Sequence, residues 1–350
     1  MILKIYSSLF ERFHKNLKNA TLFHFPGRMT YVLLILFTWM LSACKENSVS
    51  EDEKIKVDTL GFYTVGAVLK KNNCEWEFRG TDKMSIWDWS YDSVAAWGMD
   101  ITRECIDMKL TTDEELLQIV QLARNKGFVT ILTAVWWDSD AIHGGTTPYP
   151  DCQLLGSIPS SDSRFLSVQK RWQEIAVLFK NQTDVWFGVW NEPYNWKKEQ
   201  TASSQQWLSD ATLLTDNIRS TEANNIIVLC GNAMGQGYEP FLEKGAELMQ
   251  GRKNIVFDIH AYQTYWDLSA QNIENILTEL KNTEIAPVII GEFSANGTQP
   301  YQSVMDACRN THTSILAWLW NQYEEPFKST FKSYCKEQRN LGCNQKTVSR

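Results

Sequence analysis

From about residue 60 onward the chain alternates strand-like apolar runs with amphipathic stretches, eight times over. The runs are "EWEFRGTD" (75–82), "MDITRECI" (99–106), "FVTILTAVW" (128–136), "VWFGVWNE" (185–192), "NIIVLCGN" (225–232), "NIVFDIHAY" (254–262), "PVIIGEF" (287–293) and "SILAWLW" (314–320). Several are almost continuously apolar and rich in Val and Ile, the composition of parallel strands covered on both faces. Between them lie helical patterns. In "TTDEELLQIVQLARNKG", Thr112 and Glu115 make a capping box, Leu116, Ile119, Val120 and Ala123 form a stripe, and Gly127 ends the helix. "SRFLSVQKRWQEIAVLFKN" puts Phe165, Val168, Trp172, Ile175 and Phe179 on one face. Further helices are expected near 86–97, 203–221, 240–250, 270–283, 300–311 and 325–339. Eight such pairs predict an α/β fold, a closed (β/α)₈ TIM barrel over residues 60–345. An open doubly wound sheet is the alternative, but no GxGxxG follows the first strands.

The N-terminus reads as an address. Residues 1–28 carry Lys4, Arg12, Lys15, Lys18 and Arg28 against Glu11, and an apolar run follows, Tyr31 to Ala43, short for a membrane span. It ends in Leu41-Ser42-Ala43-Cys44, which resembles the lipobox of bacterial lipoproteins, where cleavage leaves an acylated cysteine, here Cys44. Residues 1–44 are then a signal region and the polar residues 45–59 a flexible tether. The expectation is an exported lipoprotein held at the outer membrane or cell surface. A plain signal peptide with secretion and a short anchor are the alternatives, and either Met1 or Met29 can be the start.

Charge and composition exclude some partners. The formal charge of −7, from 34 basic and 41 acidic residues, comes without a basic stripe, so nucleic acid is not expected. Fifteen tryptophans suit ligands that present both C–H faces and hydroxyls, as sugars do. Trp97, Trp172 and Trp207 sit in helical patterns and are assigned to the core. Of the eight cysteines, Cys335 and Cys343 enclose a short loop and are the expected disulfide, whereas Cys105 and Cys230 lie in apolar runs as buried thiols. No CxxC pair or HExxH helix is present, so neither a metal nor another cofactor is expected, and the chain is expected to be a monomer. The longest connection, 137–162, holds Asp138, Asp140, His143 and Tyr149 without recognisable ligand spacing.

Two carboxylates stand out. Glu192 ends the fourth run in "GVWNEPYNW", where Pro193 is expected to hold it extended, and Glu292 ends the seventh in "VIIGEFSANG", on the same rim of a barrel. Lys197 and Lys198 are close enough in sequence to Glu192 for simple salt bridging. The other reading is a glycosidase pair, an acid and an ionised carboxylate flanking the scissile bond.

"WNEP" at the fourth run, "HAY" at the sixth, "IGEF" at the seventh and "AWLW" at the eighth resemble the signature of family 5 glycoside hydrolases, in matching order over roughly residues 60–322. The resemblance implies that Glu192 is the acid/base and Glu292 the nucleophile of a retaining mechanism, with carboxyl groups about 5–5.5 Å apart. It implies that Asn191 binds the sugar 2-hydroxyl, that Arg103, ending the second strand, contacts the nucleophile and keeps it ionised, and that His260 and Tyr262 line the cleft. Trp318 or Trp320 would be the sugar platform; both belong to one strand face if alternation holds, and the eighth-strand context favours Trp320. Many members carry a histidine at the end of the third strand, a place taken here by Trp136 or Trp137, and the first-strand region "FRGTDKMSIW" also lacks an expected histidine. Trp137, Trp196 and Trp266 lie beyond strand ends as candidate stacking surfaces. The resulting expectation is an endo-acting hydrolase of β-1,4-linked polysaccharide, β-glucan or cellulose first, with mannan as the alternative. An inactive glycan-binding lipoprotein is the rival from another class.

Overall fold

A computed structural model describes residues 61–85, 88–139, 152–293 and 301–339. The signal region, the tether, Cys44, Asp140, His143, Tyr149 and Cys343 lie outside these residues, so the lipidation expectation is not addressed by the fold. Eight parallel strands close into a barrel: β4 (Arg79–Lys83), β5 (Ile101–Asp107), β6 (Val129–Trp136), β7 (Val185–Gly188), β8 (Ile227–Cys230), β9 (Ile255–His260), β10 (Val288–Glu292) and β11 (Ser314–Ala317). Each falls within or against one of the eight apolar runs. Ahead of them, β1 (Phe62–Val65), β2 (Val68–Lys71) and β3 (Cys74–Glu75) form an antiparallel sheet that the sequence reading did not anticipate.

The helices α1 (Asp92–Ala95), α2 (Asp113–Asn125), α3 (Phe165–Phe179), α4 (Ser204–Arg219), α5 (Glu239–Leu248), α6 (Gln263–Trp266), α7 (Ala270–Asn282), α8 (Tyr301–Thr311) and α9 (Phe327–Lys336) follow in chain order. The capping box on α2 is present, and its four stripe residues are buried. On α3 the whole predicted face is buried, with Trp172 donating from Nε1 to the Val189 carbonyl at 2.9 Å.

Strand alternation divides the core in two. Ile106, Leu132, Phe187, Leu229, Phe257 and Ile290 pack outward with Trp97, Trp172, Trp207 and the other helical residues. The opposite parity fills the barrel: Ile101, Val129, Ile131, Trp186, Val228, Val256, Ile289 and Leu316 form the lower layers, which Leu69, Trp76 and Phe62 from the small sheet close from below. Higher up, the same inward parity brings Asp82, Arg103, Cys230, Asp258 and His260 into the barrel, all buried. Apolar packing at the bottom thus holds a charged layer under the C-terminal rim. Gly291 belongs to this layer because a Cβ there would stand 1.9 Å from Asp258 Oδ1.

One expected covalent link fails. Cys335 faces the core from α9 as a free thiol, 2% exposed, so it is not bonded to Cys343. Among the described residues, Cys74 is disulfide-bonded. Cys105 and Cys230 are buried thiols as expected.

Candidate active site

Glu292 reaches the site through an irregularity. Simple alternation from Ile290 would leave Gly291 inward and Glu292 outward, but the pairing with β9 shifts between Ile290 and Glu292, so that Glu292 is matched with His260. Glu192 arrives differently. The fourth strand stops at Gly188, and Glu192 adopts φ 44° rather than the extended backbone expected before Pro193. Proline biases the preceding residue toward extended backbone, so the left-handed conformation of Glu192 departs from that preference, and neighbouring loops hold it there. Asn191 N–H donates to the Ala134 carbonyl at 3.0 Å, Gly156 N–H to the Glu192 carbonyl at 2.9 Å, and Met234 N–H to the Pro193 carbonyl at 3.0 Å. A sparsely populated conformation maintained by flanking structure is common at functional sites.

The two glutamates and His260 converge: one carboxylate oxygen of each and a ring nitrogen of His260 lie within 4.8 Å of one another. His260 Nδ1 is 2.8 Å from Glu192 Oε1 and 3.5 Å from Glu292 Oε2. Tyr262 OH donates to Glu292 Oε2 at 2.9 Å. Arg103 bridges Glu292 Oε1 and Asp82 Oδ1, each at 2.7 Å, and donates to Asn191 Oδ1. With its carbonyl oxygen occupied by Arg103, Asn191 keeps its amide N–H groups for a ligand. Arg103 sits in the middle of β5 rather than at its end, because pairing continues to Asp107. The lysine explanation of Glu192 does not hold: Lys198 pairs with Glu239 at 3.4 Å, and the Lys197 ammonium lies 5.7 Å from the ring centre of Trp196.

Burial pushes the Glu292 carboxyl above its ordinary range, against the pull of His260, Arg103 and the Tyr262 hydroxyl, while the charge of Glu192 adds to the rise. Arg103 therefore favours ionisation, as expected, without determining the balance alone. Burial lowers the His260 pKa, but the surrounding Glu292, Cys230 and Asp258 outweigh it and hold the ring well above its usual value. Asp82, fully enclosed, is raised by burial against the opposing charge of Arg103.

A cavity of about 480 Å³ opens over this layer. Glu192, Glu292, Asn191 and Tyr262 belong to its polar lining, together with Gln153 and Gln236, with Trp136 and Trp318 on its walls. Trp196, 45% exposed, lines it as well. A smaller cavity of about 300 Å³ lies between the antiparallel sheet and the N-terminal ends of β10 and β11, away from the two glutamates.

The other predicted aromatics separate clearly. The regular strand ends at Ala317; Trp318 forms one further bridge, its N–H donating to the Phe293 carbonyl at 2.9 Å, and regular alternation does not extend to Trp320. Trp318 lines the cavity, whereas Trp320 is buried, its ring centre 5.0 Å from that of Trp97 and 5.9 Å from that of Tyr323; this corrects the preference for Trp320. Trp136, not the half-buried Trp137, takes the third-strand position facing the cavity. Trp266 is 1% exposed and donates to the Gln236 carbonyl at 2.9 Å, so it is a core residue and not a stacking surface. His260 lies beneath the cavity, fully buried, and touches Glu192 more closely than Glu292. Asp82 and Asp258 were missed in the sequence. Asp258 had a signal, since it shares a strand face with His260 two residues later.

The chain resembles known proteins at several levels. It is 21% identical over 277 residues to the mannan endo-1,4-beta-mannosidase of Cellvibrio japonicus (strain Ueda107), covering 75% of this chain and 59% of that enzyme. Over 130 residues it is 24% identical to a manganese dependent endoglucanase of Phanerodontia chrysosporium, covering 34% of this chain and 32% of the other. It therefore spans less than two thirds of either relative's length. The β-mannanase of Thermomonospora fusca, solved with mannohexaose, superposes with a TM-score of 0.61 at 17% identity, over 77% of this chain and 86% of that one, a likeness of fold. The description Cellulase (glycosyl hydrolase family 5) matches residues 80–324, the span that carries the barrel strands and both rim glutamates; the chain belongs to that family.

Proposed function

We propose that the chain hydrolyses the backbone of a β-1,4-linked polysaccharide with retention of configuration, acting within the polymer. The observation that carries this reading is the closeness of the two carboxylates, an oxygen of each lying within 4.8 Å of the other. Inverting enzymes separate their carboxyl groups by about 6.5–9.5 Å to admit a water, whereas retaining enzymes bring them to about 5–5.5 Å. Glu292, held by Arg103 and Tyr262, attacks the anomeric carbon as Glu192 gives its proton to the departing glycosidic oxygen. Glu192, now ionised, takes a proton from water, which attacks the same carbon and releases Glu292. His260 positions Glu192 through the 2.8 Å contact. The amide of Asn191 donates to the hydroxyl adjacent to the reacting carbon, and Trp318 supports the ring.

Mannan is favoured as the substrate, because the mannosidase relative aligns over 75% of this chain. Glucan is the second reading, supported by the family description and by the shorter endoglucanase match. The test is reducing-end release from mannan, soluble cellulose and mixed-linkage glucan. Mannan should be cut fastest; preferential release from a glucan selects the second reading, and release from none of the three refutes the proposal. Trp196 follows Glu192 by four residues and lines the same cavity, which supports a position on the acid/base side, where the leaving sugar sits. Trp196→Ala should therefore lower kcat/KM on polymer about tenfold, from a loss of about 1–1.5 kcal/mol of ring contact, and leave hydrolysis of an aryl glycoside unchanged. An equal loss on both substrates would remove Trp196 from the leaving-group side.

A further inference from the structure

Cys230 and Asp258 are register partners across β8 and β9, and His260 follows Asp258 on the same inward face. Their donor atoms form a near-equilateral triangle. Cys230 Sγ is 3.5 Å from Asp258 Oδ2 and 3.5 Å from His260 Nε2, and His260 Nε2 is 3.4 Å from Asp258 Oδ2. We infer that this triangle binds one thiophilic divalent cation of zinc-like size, beneath the carboxylate pair.

Three observations support the site. First, tetrahedral bonds of about 2.3 Å to sulfur, 2.0–2.1 Å to nitrogen and 2.0–2.2 Å to oxygen place the ligand atoms roughly 3.3–3.6 Å apart. The three edges, 3.5, 3.5 and 3.4 Å, match that spacing. Second, the opposite ring nitrogen of His260 faces Glu192 Oε1 at 2.8 Å, the carboxylate backing that fixes a metal-bound histidine in its tautomer and leaves Nε2 as the ligand. Third, Asp258 is 1% exposed and its Oδ1 has no hydrogen-bond partner, so a buried carboxylate in the triangle has capacity to spare. The thiol proton of Cys230 and the proton on His260 Nε2 pass to solvent as the dication enters, so the buried charge is unchanged; water completes the fourth position. The guanidinium of Arg103 acts on Asp258 from the same layer. A cation held by oxygen alone gains too little against that repulsion, so Mg²⁺ and Ca²⁺ are not expected, and the thiolate selects a softer ion.

Cobalt titration of the full chain under anaerobic conditions tests the site. One equivalent of Co²⁺ should give a thiolate-to-metal charge-transfer band and the intense visible bands of a tetrahedral ion, abolished by Zn²⁺ but not by Mg²⁺. Cys230→Ala should remove the charge-transfer band. Cys230→Ser, which keeps the volume, should weaken apparent Zn²⁺ affinity by at least about tenfold while the metal-free protein unfolds at the parent temperature. A charge-transfer band that persists in Cys230→Ala places the metal on another of the free cysteines and overturns the inference. Visible bands without charge transfer place it on Glu192 and Glu292 and overturn it equally. These readouts do not depend on hydrolysis, so their failure leaves the proposed activity standing, and an inactive protein leaves the site testable.

Discussion

Glu292→Gln should leave a folded protein whose release of reducing ends falls by at least about 10⁴-fold, the scale of losing a nucleophile that acts as one unit with its partners. The amide has the shape of the carboxyl: its oxygen can still accept from Arg103, which holds Glu292 Oε1 at 2.7 Å, and its NH2 group can donate to the Tyr262 oxygen where Tyr262 now donates to Oε2 at 2.9 Å. It lacks the negative charge needed to form a glycosyl ester. Steady-state assay on the best polymer, alongside thermal unfolding, measures both halves of the expectation. Activity within about tenfold of the parent would show that Glu292 is not the nucleophile, whatever its position in the barrel.

Arg103→Met should be the most destabilising single change in the charged layer. The guanidinium is 1% exposed and bridges Asp82, Glu292 and Asn191, so its removal leaves two buried carboxylates with only His260 as a nearby positive group, 3.5 Å from Glu292. Breaking such a pair costs about 3–5 kcal/mol, mainly through the stranded charge. Urea unfolding gives the loss directly. The cause is isolated by repeating the substitution in the Glu292→Gln background, where one stranded charge is already gone and the cost should be smaller. An equal cost in both backgrounds would mean that the arginine acts through packing alone. Arg103→Lys should not restore the parent, since a single ammonium cannot span three partners held by a planar fork.

The barrel was legible because eight apolar runs recur with capped, amphipathic helices between them, and the α2 capping box and the α3 stripe appear where the pattern placed them. Local exceptions to periodicity were less legible. The register shift that turns Glu292 inward, the left-handed backbone at Glu192 and the end of the regular strand at Ala317 all break the two-residue alternation on which the sequence reading relied. The last of these explains why Trp318 and Trp320, which alternation would put on one face, part company in the structure. Trp266 misled for a different reason: a residue just beyond a strand suggests the rim, but a short helix, α6, carries its ring into the core. The small sheet below the barrel went unseen because "FYTVGAVLKKNNCEWEF" has short, mixed runs without the Val- and Ile-rich continuity of the barrel strands.

The Cys230, Asp258 and His260 triangle forms no local motif, since Cys230 lies on another strand, 28 residues before Asp258. Register alone assembles it. The same holds for Arg103 and Glu292, whose side chains meet at 2.7 Å although 189 residues separate them.

The central claim is that Glu192 and Glu292 cleave by double displacement. Proton NMR of the first product formed from the best polymer, recorded before mutarotation, tests it most directly. The β-anomer appearing first is the predicted result, because two inversions at the anomeric carbon restore the starting configuration. The α-anomer appearing first would mean a single displacement by water and would contradict a covalent intermediate on Glu292.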